Sequence, residues 1–307
     1  MEERRVRVET REIAMSRNTK LLGTVSVLAT LAAGPAAADQ LMGFAGFVDA
    51  AYSNTSFGGD SYSSSDDSWN NITVGAGIAF PVDEIDALAW QLDANYSSQS
   101  GDGSSRIVWN LGGSLLFSFP GSRSGININY ETTTDFGSLT NGGLFTEWYF
   151  GNITAAAKGG WLWGGGTPNG GRGNYLGANV AGYIMPNFAL DGSVTWSDLI
   201  SGSTGIGGGY GAPCFGPTCG RRDFSETNFT ISGEFLVSQT FPISIFGGYT
   251  YTDYKVSENV SNPNLVDGSD FSANTFFIGV RYYMGGMGSL IDMHRNGNLR
   301  PWLRGAN

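Results

Sequence analysis

The sequence predicts an all-β fold: a transmembrane, antiparallel up-and-down β-barrel of about 12 strands, with ten or fourteen as the alternatives. Three observations predict it. Segments of about ten residues alternate apolar with small or polar side chains, the period-two mark of a strand with two unlike faces. The connections between these segments alternate long and short. Glycine supplies 47 of 307 residues and aromatics 13%, whereas charged residues reach only 14%, well below the roughly 25% of soluble domains. No stretch after residue 38 approaches the ~18 consecutive apolar residues of a membrane helix.

The chain opens on a segment of different texture. Arg17 and Lys20 form a short basic region, Leu21 to Ala33 is largely apolar and uncharged, and Gly34-Pro35 breaks the run. Ala36-Ala37-Ala38 then offers small residues for a peptidase. This is the three-part secretory pattern, with cleavage expected after Ala38. A membrane anchor is the competing reading, but the apolar run is short against the ~20 residues a spanning helix needs. Residues 1–14 carry Glu2, Glu3, Glu9 and Glu12 ahead of this signal, and Met15 restarts the chain before a normal basic region. The expected division is therefore an over-extended gene start at 1–14, a cleaved signal at 15–38, a barrel at 39–284 and a polar tail at 285–307.

Twelve strand segments follow, at about 42–52, 71–80, 87–97, 106–119, 125–133, 144–150, 153–163, 174–185, 188–197, 225–238, 243–255 and 273–284. In "NITVGAGIAF", Ile72, Val74, Ala76, Ile78 and Phe80 share one face, with Asn71, Thr73, Gly75 and Gly77 on the other. In "ALAWQLDANY", Leu88, Trp90, Leu92 and Tyr96 oppose Gln91, Asp93 and Asn95. The sixth segment, "LFTEWYF", is short and apolar on both faces. It and the long 198–224 connection leave the strand count negotiable.

The short connections are "PVDEID", "PGSRS", "GN", "PN" and "QTFP", and four of the five carry proline, which ends a strand because it cannot donate to the ladder. Between them run long connections at about 53–70, 98–105, 134–143, 164–173, 198–224 and 256–272. Segregation by parity places all tight turns at one end and all long loops at the other. The less apolar faces hold mainly Gly, Ser, Thr and Asn with a few ionisable residues, as an inner wall must be polar but uncrowded. Aromatics gather near segment ends, among them Tyr52, Phe80, Tyr96, Trp148, Trp161 and Trp196, as at membrane interfaces.

Signal, strand pattern and loop parity together resemble a Gram-negative outer-membrane β-barrel of the porin-like type. The last segment, "FIGVRYYM", resembles the C-terminal signal read by the barrel assembly machinery, with Gly279, Tyr282 and Met284 as the carrying positions. The resemblance implies a place in the bacterial outer membrane after export, contact with outer-membrane lipid, and passive diffusion of ions or small solutes. In the family the signal ends the chain; here "GGMGSLIDMHRNGNLRPWLRGAN" follows. A disordered terminus is the expectation, with a luminal plug or a periplasmic projection as alternatives.

Chemistry is sparse. The only histidine is His294, in the tail, so a Ser-His-Asp arrangement on the barrel is excluded unless the tail folds back. Asp66-Asp67 sits in a Ser-rich loop, and "GIGGGYG" opens no helix. No enzyme, metal site or cofactor is expected. Cys214 and Cys219, in "GAPCFGPTCG", read as a small-loop disulfide in an exported chain. Residues 1–38 hold six of the 17 Lys and Arg and four of the 27 Asp and Glu, which leaves 11 basic and 23 acidic residues, a net charge of −12. Nucleic acid, which wants basic stripes, is excluded as a partner. The alternation directs Asp49, Asp93, Glu131, Glu147, Asp191 and Glu234 inward, with Lys158 and Arg281. Six acids against two bases favour cations in a lumen. Two other classes stay open: a closed structural or adhesive barrel acting through its loops, and a secreted soluble β-protein. Oligomeric state is not legible.

Overall fold

The computed structural model describes residues 44–58, 68–82, 85–101, 104–133, 137–165, 172–201, 221–238, 240–259, 270–285 and 288–296. The export segment 1–38, the Asp66-Asp67 and "GIGGGYG" loops, Cys214, Cys219 and residues 297–307 lie outside them. Twelve strands occur: β1 Ala45–Gly58, β2 Ser68–Val82, β3 Ile85–Gly101, β4 Ser104–Phe119, β5 Ser122–Thr133, β6 Gly137–Phe150, β7 Ile153–Gly165, β8 Arg172–Met185, β9 Phe188–Ser201, β10 Arg221–Leu236, β11 Ile243–Asn259 and β12 Phe271–Met284. Among the described residues a short helix, α1, follows at Leu290–Asn296. Each strand pairs antiparallel with its chain neighbours, and β1 pairs with β12, so the sheet closes on itself. Closure leaves no unpaired edge, which is what lets a sheet stand in hydrocarbon.

The period-two pattern sorts side chains onto two faces. Outside lies an exposed apolar band that includes Leu92, Leu111, Ile128, Leu144, Leu176, Ile231 and Ile278. A patch of this extent marks an interaction surface rather than one turned to bulk water. Aromatic rings flank the band. Near the short turns, Phe80 packs on Trp90 with centroids 5.3 Å apart, and Phe241 on Tyr282 at 5.4 Å. Toward the long connections, Tyr96 packs on Trp109 at 4.6 Å.

The short turns are anchored as well as tight. Gly121 follows Pro120 with φ +78°, the pairing a type II turn requires. Its carbonyl accepts a bond from Tyr149 N in β6. Likewise Asn152 O accepts from Tyr183 N, Asn187 O from Leu236 N, and Pro242 O from Tyr283 N. Four turns are thus each hooked to the strand beyond the one they lead into. This staggered overlap fits the tilt that closing a barrel demands.

The strands extend past the sequence alternation, mostly toward the long connections. β6 begins at Gly137 rather than 144, β1 reaches Gly58 rather than 52, and β9 reaches Ser201 rather than 197. Beyond the lipid band neither face is forced to be apolar, so backbone pairing continues where the pattern fades. In β6, Leu144, Trp148 and Phe150 face out, while Phe145 and Glu147 are buried.

The tail departs from expectation. Residues 288–296 are ordered and carry α1, whose Leu290 is fully buried. The reason is local. Gly285 has φ +78°, and a Cβ there would collide with the Phe44 carbonyl, so glycine alone lets the chain turn after β12. Ser289 then starts the helix: its hydroxyl donates to Asp292 Oδ2 at 2.6 Å, and Asp292 N lies 3.3 Å from Ser289 Oγ. That is a reciprocal capping arrangement across three residues.

The barrel interior as candidate functional site

Large side chains inside the barrel lie over glycines of neighbouring strands. Phe47 covers Gly77, Phe145 covers Gly125, Tyr175 covers Gly143 and Gly160, and Phe246 covers Gly279. The missing side chains therefore make room for rings as well as for solvent. On a closed wall this lets bulky groups lie flat.

Five charged residues form two clusters at the short-turn end. In the first, Arg281 bridges two acids. Its Nη2 donates to Asp49 Oδ2 at 2.9 Å and its Nη1 to Glu234 Oε2 at 3.0 Å. Glu234 also accepts from Ser244 Oγ at 2.5 Å and Tyr283 Oη at 2.6 Å. The guanidinium stacks over the Phe246 ring, 4.7 Å from its centroid. In the second cluster, Arg123 forks onto Glu147 Oε2 with Nε at 2.9 Å and Nη2 at 2.6 Å. Tyr149 Oη donates to the same oxygen at 3.2 Å. Pairs this buried are held by their hydrogen bonds as much as by their charge.

Helix α1 links the clusters. His294 Nε2 lies 2.9 Å from Tyr283 Oη and 3.3 Å from Glu234 Oε2, and Nδ1 lies 3.1 Å from Tyr183 Oη. The His294 carbonyl accepts from Arg123 Nη2 at 3.2 Å. The tail does fold back, so the triad question returns. Ser244 bonds Glu234 directly, and His294 reaches the same carboxylate. A nucleophile needs the imidazole between hydroxyl and acid; here the acid stands in the middle.

The other predicted residues lie elsewhere along the strands. Asp93 accepts from Gln91 Nε2 at 2.8 Å, and Asp191 from Asn179 Nδ2 at 2.5 Å. Lys158 is buried on β7, paired in register with Gly177 and Phe145. Glu131 takes a hydrogen bond from the amide of Asn110. Glu226 takes one from Asn228 Nδ2 at 2.5 Å, and stands within electrostatic reach of Glu131. Among the described residues neither forms an ion pair with a base. Of the assembly-signal positions, Gly279 lies under Phe246, Tyr282 packs on Phe241, and Met284 pairs with Gly46.

Sequence reasoning missed Arg123, Glu226 and the return of His294. Arg123 stands in "PGSRS", which reads as turn, although it is the second residue of β5. Its signal was register: it pairs with Glu147, a predicted inward acid.

The architecture has solved counterparts. The outer membrane channel COG4313 from Pseudomonas putida F1 matches with a TM-score of 0.50 at 12% identity, over 82% of this chain and 99% of that one. The fold is that of an outer-membrane β-barrel. The NanC porin matches at 0.44 with 8% identity, over 76% and 98% of the two chains. The KdgM porin matches at 0.43 with 7% identity, over 76% and 98%. The likeness to COG4313 carries the comparison, and at that identity it speaks for the fold alone. No family model and no curated protein sequence matches the chain.

Proposed function

We propose that the chain is an outer-membrane channel through which ions or small solutes diffuse passively, with cations favoured. One observation carries the reading: Glu131 and Glu226 face a common interior with only amides as hydrogen-bonding partners. Two buried carboxylates without a base are costly in a dry interior. Water or mobile cations in the lumen remove that cost. Asp49, Glu147 and Glu234 contribute less to ion preference, because Arg281 and Arg123 are bound to them and offset part of their charge.

Planar-bilayer recording of the refolded chain from Asp39 onward, under a salt gradient, tests this. A steady conductance with a reversal potential on the cation side is expected. Substituting Glu131→Gln together with Glu226→Gln should move that potential toward zero while the barrel still inserts. An unchanged potential would remove these carboxylates from the selectivity argument. An inserted barrel that passes no current would turn attention to a closed barrel acting through its loops.

A further inference from the structure

We propose that α1 is an autoinhibitory plug: the chain's own C-terminal segment docked in the short-turn mouth of the lumen, restricting passage until displaced. This rests on the channel reading above.

The strands that hold α1 fix its place. The His294 carbonyl is bonded from β5, and the His294 imidazole meets tyrosines of β8 and β12 and the Glu234 carboxylate of β10. Arg295 donates from Nε to Thr154 Oγ1 at 3.0 Å and from Nη2 to the Ile153 carbonyl at 2.8 Å, both in β7. Leu290 and Met293 share an apolar cluster with Phe47 of β1 and Leu236 of β10. In the closed ring, β5 stands almost opposite β12. Seven residues of helix can touch walls that far apart only from within the barrel.

The level is fixed too. Leu290 N donates to the carbonyl of Pro186, in the turn between β8 and β9, so α1 sits at the short-turn mouth. Its docked side is complementary to the wall: apolar residues on one set of contacts, His294 and Arg295 on hydroxyls, a carbonyl and a carboxylate. The hold is nonetheless divisible. It consists of individual hydrogen bonds, the His294–Glu234 contact, Arg295 over the Tyr149 and Tyr183 rings, and one small apolar cluster, and a helix of this length has little stability of its own. Loss of a few contacts would release it as a unit, an order-to-disorder switch of the kind that gates other proteins.

The test compares three proteins in planar bilayers, each first shown to be inserted by its heat-modifiable migration: the chain from Asp39 onward, the same chain ending at Gly285, and the full-length His294→Ala/Arg295→Ala variant. The shortened chain is expected to show at least double the conductance. The double variant is expected to fluctuate between the full-length level and the higher one. If the shortened chain folds poorly, the full-length double variant still decides the matter. Equal conductance in all three would overturn the plug while leaving the channel intact. No current from any of them, though inserted, would overturn both.

Discussion

Replacing Arg281 with methionine is expected to destabilise the folded barrel by about 3–5 kcal/mol, the cost of leaving buried charge without its partner. The geometry makes this residue the most exposed to such loss. Its guanidinium is shared between Asp49 of β1 and Glu234 of β10, and Glu234 is already bonded by two hydroxyls that cannot neutralise it. The guanidinium also stacks on Phe246, so the change removes a ring contact as well as charge. The denaturant midpoint of the refolded barrel, followed by tryptophan fluorescence, reads the effect. A companion variant, Asp49→Asn/Glu234→Gln/Arg281→Met, should recover most of the loss, because removing both signs leaves no orphaned charge. A midpoint for Arg281→Met equal to that of the parent would show that water, not Arg281, balances the two acids.

Gly279→Val should be nearly as damaging, by a different route. A Cβ at this position would stand 2.6 Å from the Ala50 carbonyl, a backbone atom of β1, and press into the ring of Phe246. The ring could turn aside; the β1–β12 seam could not without losing its register. Overpacking of this kind costs about 1–3 kcal/mol, here at the one seam that joins the ends of the chain. The expected result is a fall in the fraction of heat-modifiable, closed barrel on refolding. Gly279→Val combined with Phe246→Ala should not restore it, since the carbonyl clash stays. Full restoration would place the strain in the ring alone.

Legibility of the sequence followed physical constraint. Where lipid lies on one side and the lumen on the other, alternation is enforced, and all twelve strands could be read. Where strands rise past the lipid band, as in Gly137–Gly143 of β6, both faces tolerate Gly, Ser and Asn, and the pattern vanishes although pairing continues. The interior was half legible. Inward direction follows from parity, as with Asp49, Glu147 and Glu234. Which acid meets which base depends on stagger between strands, which parity does not contain. The tail reads as disordered because it is polar and glycine-rich. Yet Ser289-Leu290-Ile291-Asp292 carries a helix start, with Leu290 and Met293 as apolar residues to bury. The capping pair was visible; what α1 would bury against was not, since its site is built from several distant strands.

The closed seam also imposes a timetable. Part of the surface that receives α1 is Phe47 from the first strand and Tyr283 from the last, and these come together only when the ring is sealed. Helix α1 therefore has no complete berth until β1 and β12 have paired. Docking of the tail becomes the last event of assembly, and a seated tail certifies that the ring behind it is whole.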